Sequence, residues 1–152
     1  MIFERKLYNK LLEWKSCDGA EALLIEGARR VGKSTIVQEF ARNEYESYIL
    51  IDFARTSEDV KGYFVRFNND LDTLFMMLQN VYGITLKERK SLIIFDEVQR
   101  FPTAREMIKY LVADRRYDYI ETGSLISIKD NVKDIVIPSE ERSVKMYPMD
   151  FE

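Results

Sequence analysis

The 152-residue chain contains no histidine. Catalysis of the Ser-His-Asp or Cys-His kind is therefore excluded. A single cysteine, Cys17, cannot close an internal disulfide and leaves a zinc site short of ligands. It fits a reduced, cytoplasmic setting and, with no activating base beside it, reads as a spectator thiol. No apolar run approaches the roughly 20 residues of a membrane span, and the N-terminal MIFERKLYNK lacks a signal-peptide core. Nor is there an excess of basic charge. The net charge is -3, which argues against a domain whose main task is gripping nucleic acid. The clusters KERK at 87–90 and Arg115-Arg116 read as solvated turns or helix faces. No repeat or low-complexity segment is visible. What remains is an ordinary globular composition, 46% hydrophobic and 32% charged, on a chain long enough for one core.

Hydrophobic periodicity orders the chain. Residues 3–16 read as a helix, with Leu7, Leu11 and Trp14 on one stripe and Gly19 beyond its end. Short apolar runs at 22–25, 48–53 and 92–95 read as buried strands, with a fourth at 117–121. Helical patterns fall at 33–42, at about 57–82 in one piece or two, and at 104–113. Phe and Met residues in the middle pattern are read as a core-facing stripe. Residues 135–137 and 143–149 are short extended segments. Strands that alternate with helices imply an α/β protein, and unbroken apolar strands imply a largely parallel sheet covered on both faces.

One loop carries specific chemistry. Gly27 to Ser34, GARRVGKS, matches G-x-x-x-x-G-K-[ST] at every position, between a strand pattern and a helix pattern. The glycines let the backbone curl, and N–H groups from Ala28 to Thr35 then point inward as an anion cradle. The loop Gly27, Ala28, Arg29, Arg30, Val31, Gly32, Lys33, Ser34 and Thr35 is thus the candidate binding site for the phosphates of ATP. Lys33 places a charge at the β- and γ-phosphates, and the Ser34 hydroxyl ligates Mg²⁺. A bland alternative is a Gly-containing strand-to-helix turn. Arg29 and Arg30 are not needed by a cradle made of backbone. Three roles stand open for them: snorkelling to solvent, pairing with Asp52 or Glu26, or reaching a γ-phosphate or a neighbouring subunit.

The second element is LIIFDE, residues 92–97. Four apolar residues ending in two acids put Asp96 and Glu97 at the C-terminal tip of a buried strand, where open α/β sheets bind ligands. Asp96 is the candidate metal carboxylate, and Glu97 the candidate base for an attacking water. The third is YIETGS, residues 119–124, a strand ending in hydroxyls. Ser124 is the candidate for touching the γ-phosphate or the water, with Thr122 the alternative.

The ordered set GARRVGKS, LIIFDEVQRFP and TGS resembles the prokaryotic AAA-type ATPases of the P-loop superfamily that carry a C-terminal domain of unknown function. RKLYNKLLEW, Arg5 to Trp14, is similar to that family's R-x-L-Y-x-x-L-x-x-W helix. Asp96, Glu97, Gln99 and Pro102 fit its DE-x-Q-x-x-P segment, and Gly123-Ser124 its G-S turn. Arg142 and YPMDFE at 147–152 fit its late R…YP-[LM]-x-F-E stretch. The resemblance spans the whole chain. It implies a three-layer P-loop NTPase fold with a mostly parallel sheet of order 5-1-4-3-2, preceded by the N-terminal helix. Ser124 would then lie over the γ-phosphate. It also implies that residues 1–152 are one ATPase domain, truncated at its C-terminus. The adenine lid, and a C-terminal domain or protein partner that reads the nucleotide state, would lie beyond it. Such proteins often work as rings or pairs.

Function follows as an expectation. The leading reading is Mg²⁺-dependent hydrolysis of ATP. The alternative is a nucleotide switch or scaffold that binds ATP with little or no turnover. A small-molecule kinase is disfavoured because no arginine-rich lid appears late in the chain. Adenine is expected over guanine, since no N-K-x-D reader is present.

Overall fold

The apolar runs form strands because they are flanked by turn residues and are covered on both faces. A computed structural model describes residues 2–27, 33–123 and 141–146, with side chains at 5–27 and 35–123. Helix α1 (Ile2–Lys15) leads into β1 (Ala22–Gly27), α2 (Lys33–Glu44) and β2 (Ser47–Asp52). Helices α3 (Glu58–Arg66) and α4 (Leu71–Tyr82) follow, then β3 (Ser91–Asp96), α5 (Pro102–Asp114), β4 (Asp118–Gly123) and β5 (Glu141–Met146). All strand pairs are parallel, in the order β2-β3-β4-β1-β5.

Alternate residues of each strand feed two cores. Leu23 and Ile25 of β1 with Leu92, Ile94 and Ile120 face α1 and α2, where Leu7, Leu11, Trp14, Val37 and Phe40 pack on them. Ala22 and Leu24 with Ile49, Ile51, Ile93, Phe95 and Tyr119 face α3, α4 and α5. The result is three layers, and it explains why β3 is buried at six successive positions. Helix α1 is fixed by its 7, 11, 14 stripe and by Trp14, whose Nε1 donates to the Glu21 carbonyl at 2.9 Å.

The long helical pattern resolves into two helices. Phe67 closes α3, and Asp70 opens α4 by accepting from the Thr73 N–H at 3.2 Å. Asn68, Asn69 and Asp70 are the residues that favour such a break. Their buried members, Val60, Phe64, Leu74, Phe75 and Leu78, are core, as the stripe implies. Residues 135–137 lie outside the described residues. Among those described, no helix is long and apolar enough to cross a membrane.

One expectation fails at the end of the sheet where the strands begin. Arg89 and Arg116 are not solvated members of basic clusters. Arg89 reaches across three loops: it pairs with buried Asp118, lies 3.5 Å from Asp18 Oδ1, and donates to the Arg115 carbonyl at 2.8 Å. Arg116 is held by Asp114 and Asp72. For Arg89 the cause is Asp118, a carboxylate 5% exposed at the start of β4 whose burial is offset by pairing with a cation. Tyr45 donates to its other oxygen, and burial, then that carboxylate, push the Tyr45 phenol far above its ordinary range. Gly19, at φ +82°, lies under the Arg89 guanidinium; a Cβ there would sit 2.6 Å from Nη1. A side chain there would be strained at this φ and would have to displace the guanidinium.

Candidate nucleotide site

The strands are parallel, so their C-terminal ends share one edge of the sheet. β1 ends at Gly27 and α2 begins at Lys33, which brackets the GARRVGKS loop between a strand and a helix as that motif requires. Ala28, Arg29, Arg30, Val31 and Gly32 lie outside the described residues, as do the side chains of Lys33 and Ser34. Thr35 is exposed on the first turn of α2. The first turn of α2 contains no acid, so its positive dipole end is not neutralised from within the helix.

The acids lie two strands away. Asp96 is the last residue of β3, 8% exposed, and its carbonyl accepts from the Phe53 N–H at 2.9 Å. Register places Phe95 opposite Glu121, so Asp96 comes level with Thr122 of β4. Both side chains emerge on the face covered by α1 and α2, beside the helix that follows the loop. The fully buried Thr122 hydroxyl donates to Asp96 Oδ1 at 2.5 Å and accepts from the Glu97 N–H at 3.2 Å.

Glu97 itself has left-handed backbone, φ 57° and ψ 49°. For a residue other than glycine that conformation costs about 1–2 kcal/mol. It turns the chain sharply out of β3 into a single 3-10 turn, Val98–Arg100, and so into α5. Strained backbone of this kind concentrates at sites where geometry matters more than stability. Gln99 in that turn is 3% exposed, and its side-chain carbonyl oxygen has no hydrogen-bond donor among the described residues.

Behind the site, on the opposite face of β4, a buried ion pair joins sheet to helix. Arg105 of α5 donates from Nη1 to Glu121 Oε1 at 3.0 Å and to Oε2 at 3.1 Å. The two side chains are 1% and 0% exposed. Sequence reasoning missed this pair. The available signal was a glutamate inside an otherwise apolar strand, together with an arginine on the stripe of Ile108 and Val112.

Of the residues picked from sequence, the described structure thus brings together Asp96, Glu97 and Thr122. Ser124 lies outside the described residues. Arg142 has described backbone in β5, paired with Leu23, but no described side chain. Asp52 is occupied locally, its Oδ1 accepting from the Ala54 N–H at 3.0 Å.

Comparisons with known proteins bear on the fold and the family. No curated protein matches the chain in sequence. The structure of PCH-2 from C. elegans is similar in fold, with a TM-score of 0.52 and 10% identity, over 95% of this chain and 42% of that one. The chain therefore spans less than half the length of that protein. The Hef helicase domain of Pyrococcus furiosus aligns at a TM-score of 0.43 and 16% identity, over 94% of this chain and 38% of that one. The AAA domain profile matches residues 19–152, beginning after the Arg5–Trp14 helix. With nearly the whole chain matched, this protein belongs to the AAA domain family, whose members bind nucleotide.

Proposed function

We propose that the chain is a cytoplasmic, Mg²⁺-dependent ATPase domain that works with a protein partner or a C-terminal domain of its own. The supporting observation is the alignment of Asp96, Glu97 and Thr122 at the strand edge that also carries the loop from Gly27 to Lys33.

In this reading the backbone of Gly27 to Thr35 cradles the phosphates, and Lys33 binds the β- and γ-phosphates as a point charge. Ser34 and Asp96 would hold Mg²⁺, an ion that prefers oxygen donors and is usually bound by one or two carboxylates plus substrate phosphates. The donor set fits. Asp96 is a carboxylate whose orientation is fixed by Thr122. When bound, the ion offsets charge on the phosphates. Glu97 takes a proton from the water attacking the γ-phosphorus, as the bond to the bridging oxygen breaks and ADP leaves. Ser124 contacts the γ-phosphate or that water. Arg29, Arg30 and Arg142 receive no role in the chemistry. Oligomeric assembly is part of the reading, since AAA domains often assemble.

Phosphate release from ATP, with and without excess chelator, tests the proposal. Hydrolysis should require the divalent ion, and GTP should compete poorly. Turnover unaffected by chelator, or equal competition by GTP, would count against the reading. ATP binding without any release of phosphate would favour the nucleotide switch instead.

A further inference from the structure

A threonine hydroxyl has one proton to give. In Thr122 that proton is committed to Asp96 Oδ1, and the same oxygen accepts the Glu97 N–H. The side chain is 0% exposed, so both bonds form away from competing water. The hydroxyl therefore has no second proton for a phosphate, and it joins two consecutive residues of a neighbouring strand that have different proposed tasks.

We infer that Thr122 is a positioning residue that locks the metal carboxylate Asp96 and the water-activating Glu97 into one unit. The inference rests on the nucleotide-hydrolysis reading above and gives that site a part which neither the loop motif nor the acidic pair contains. Glu97 enters a left-handed conformation immediately after the last strand residue. Its N–H donates to the Thr122 oxygen, which ties the first residue of that turn to β4. At the same time the donated proton fixes the rotation of the Asp96 carboxylate. One side chain on β4 thus sets both the carboxylate orientation and the backbone angle from which the Glu97 side chain departs. Groups that orient a ligating or reacting side chain in this way typically matter by about 10- to 100-fold. The buried Arg105–Glu121 pair, one residue earlier on β4, holds the strand from its other face.

Thr122→Val keeps the shape and removes the hydroxyl; Thr122→Ser restores it. Two measurements on the full chain separate this inference from the reading on which it rests. The first is hydrogen exchange at the Glu97 amide, without nucleotide. Thr122→Val should speed exchange there by about tenfold or more relative to amides in the middle of β3, and Thr122→Ser should return it to the wild-type rate. The second is ATP hydrolysis. Thr122→Val should lower kcat by about 10- to 100-fold with a much smaller change in KM, and Thr122→Ser should recover most of it. Unchanged Glu97 exchange in Thr122→Val overturns the inference whether or not the chain hydrolyses ATP. An active wild type with unchanged kcat in the valine variant overturns it equally. If the wild type fails to hydrolyse ATP, the hydrolysis reading fails, while the exchange experiment still decides whether Thr122 holds the Glu97 turn.

Discussion

Glu97→Gln is expected to slow phosphate release from ATP by about 10²- to 10⁴-fold and to leave ATP affinity nearly unchanged. The substitution preserves volume and shape, and the Glu97 N–H that Thr122 accepts belongs to the backbone. Only the ability to take a proton is lost. The loop and Lys33 hold the phosphates in the proposed site, so binding should survive. Parallel phosphate-release assays and calorimetric titrations of wild type and variant check this. A variant that hydrolyses ATP at the wild-type rate would remove Glu97 from the chemistry. Equal loss of binding and turnover would mean that the residue holds the site together rather than activating water.

Arg105→Met should lower the stability of the chain by about 3–5 kcal/mol. Arg105 and Glu121 are 1% and 0% exposed, so removing the guanidinium takes a cation partner away from a carboxylate held entirely out of water. A typical domain is stable by about 5–15 kcal/mol, so this single change should be among the largest available. The pair as a whole contributes far less than that loss suggests, because desolvation of both ions opposes their attraction. Arg105→Met combined with Glu121→Leu should therefore recover most of the stability. Urea unfolding of the single and double variants measures both effects. A single variant within about 1 kcal/mol of wild type would show that Glu121 is accommodated without Arg105. The functional consequence runs through β4 and α5. Both flank the turn that carries Glu97, so a loosened pair should also disturb hydrolysis.

Much of this architecture is legible in the sequence because its signals are local. Strands covered on both faces read as mostly apolar runs, and LLI, ILI and LIIF do. The phosphate-loop signature is eight consecutive residues. The features that sequence reasoning missed or left open are made by pairing between distant segments. Thr122 and Ser124 are two residues apart, so strand periodicity alone gives both the same face. What singles out Thr122 is the register of β4 on β3, which sets it level with Asp96. Arg105 and Glu121 meet only when α5 packs back on the sheet. Arg89 sits in a run of charges that resembles a solvated turn, and only the burial of Asp118 draws it inward. The left-handed Glu97 has no signal at all in residue type, since glutamate is not a residue that favours that conformation.

The most direct test of the central claim is a calorimetric titration of MgATP into this chain beside Lys33→Ala. Removing one charge-assisted contact should weaken binding by about 1.5–3 kcal/mol, or roughly ten- to a hundredfold. The expected result is saturable binding by the wild type and a loss of that size in the variant. Binding of equal strength by both proteins would contradict the claim that the Gly27–Ser34 loop holds the nucleotide.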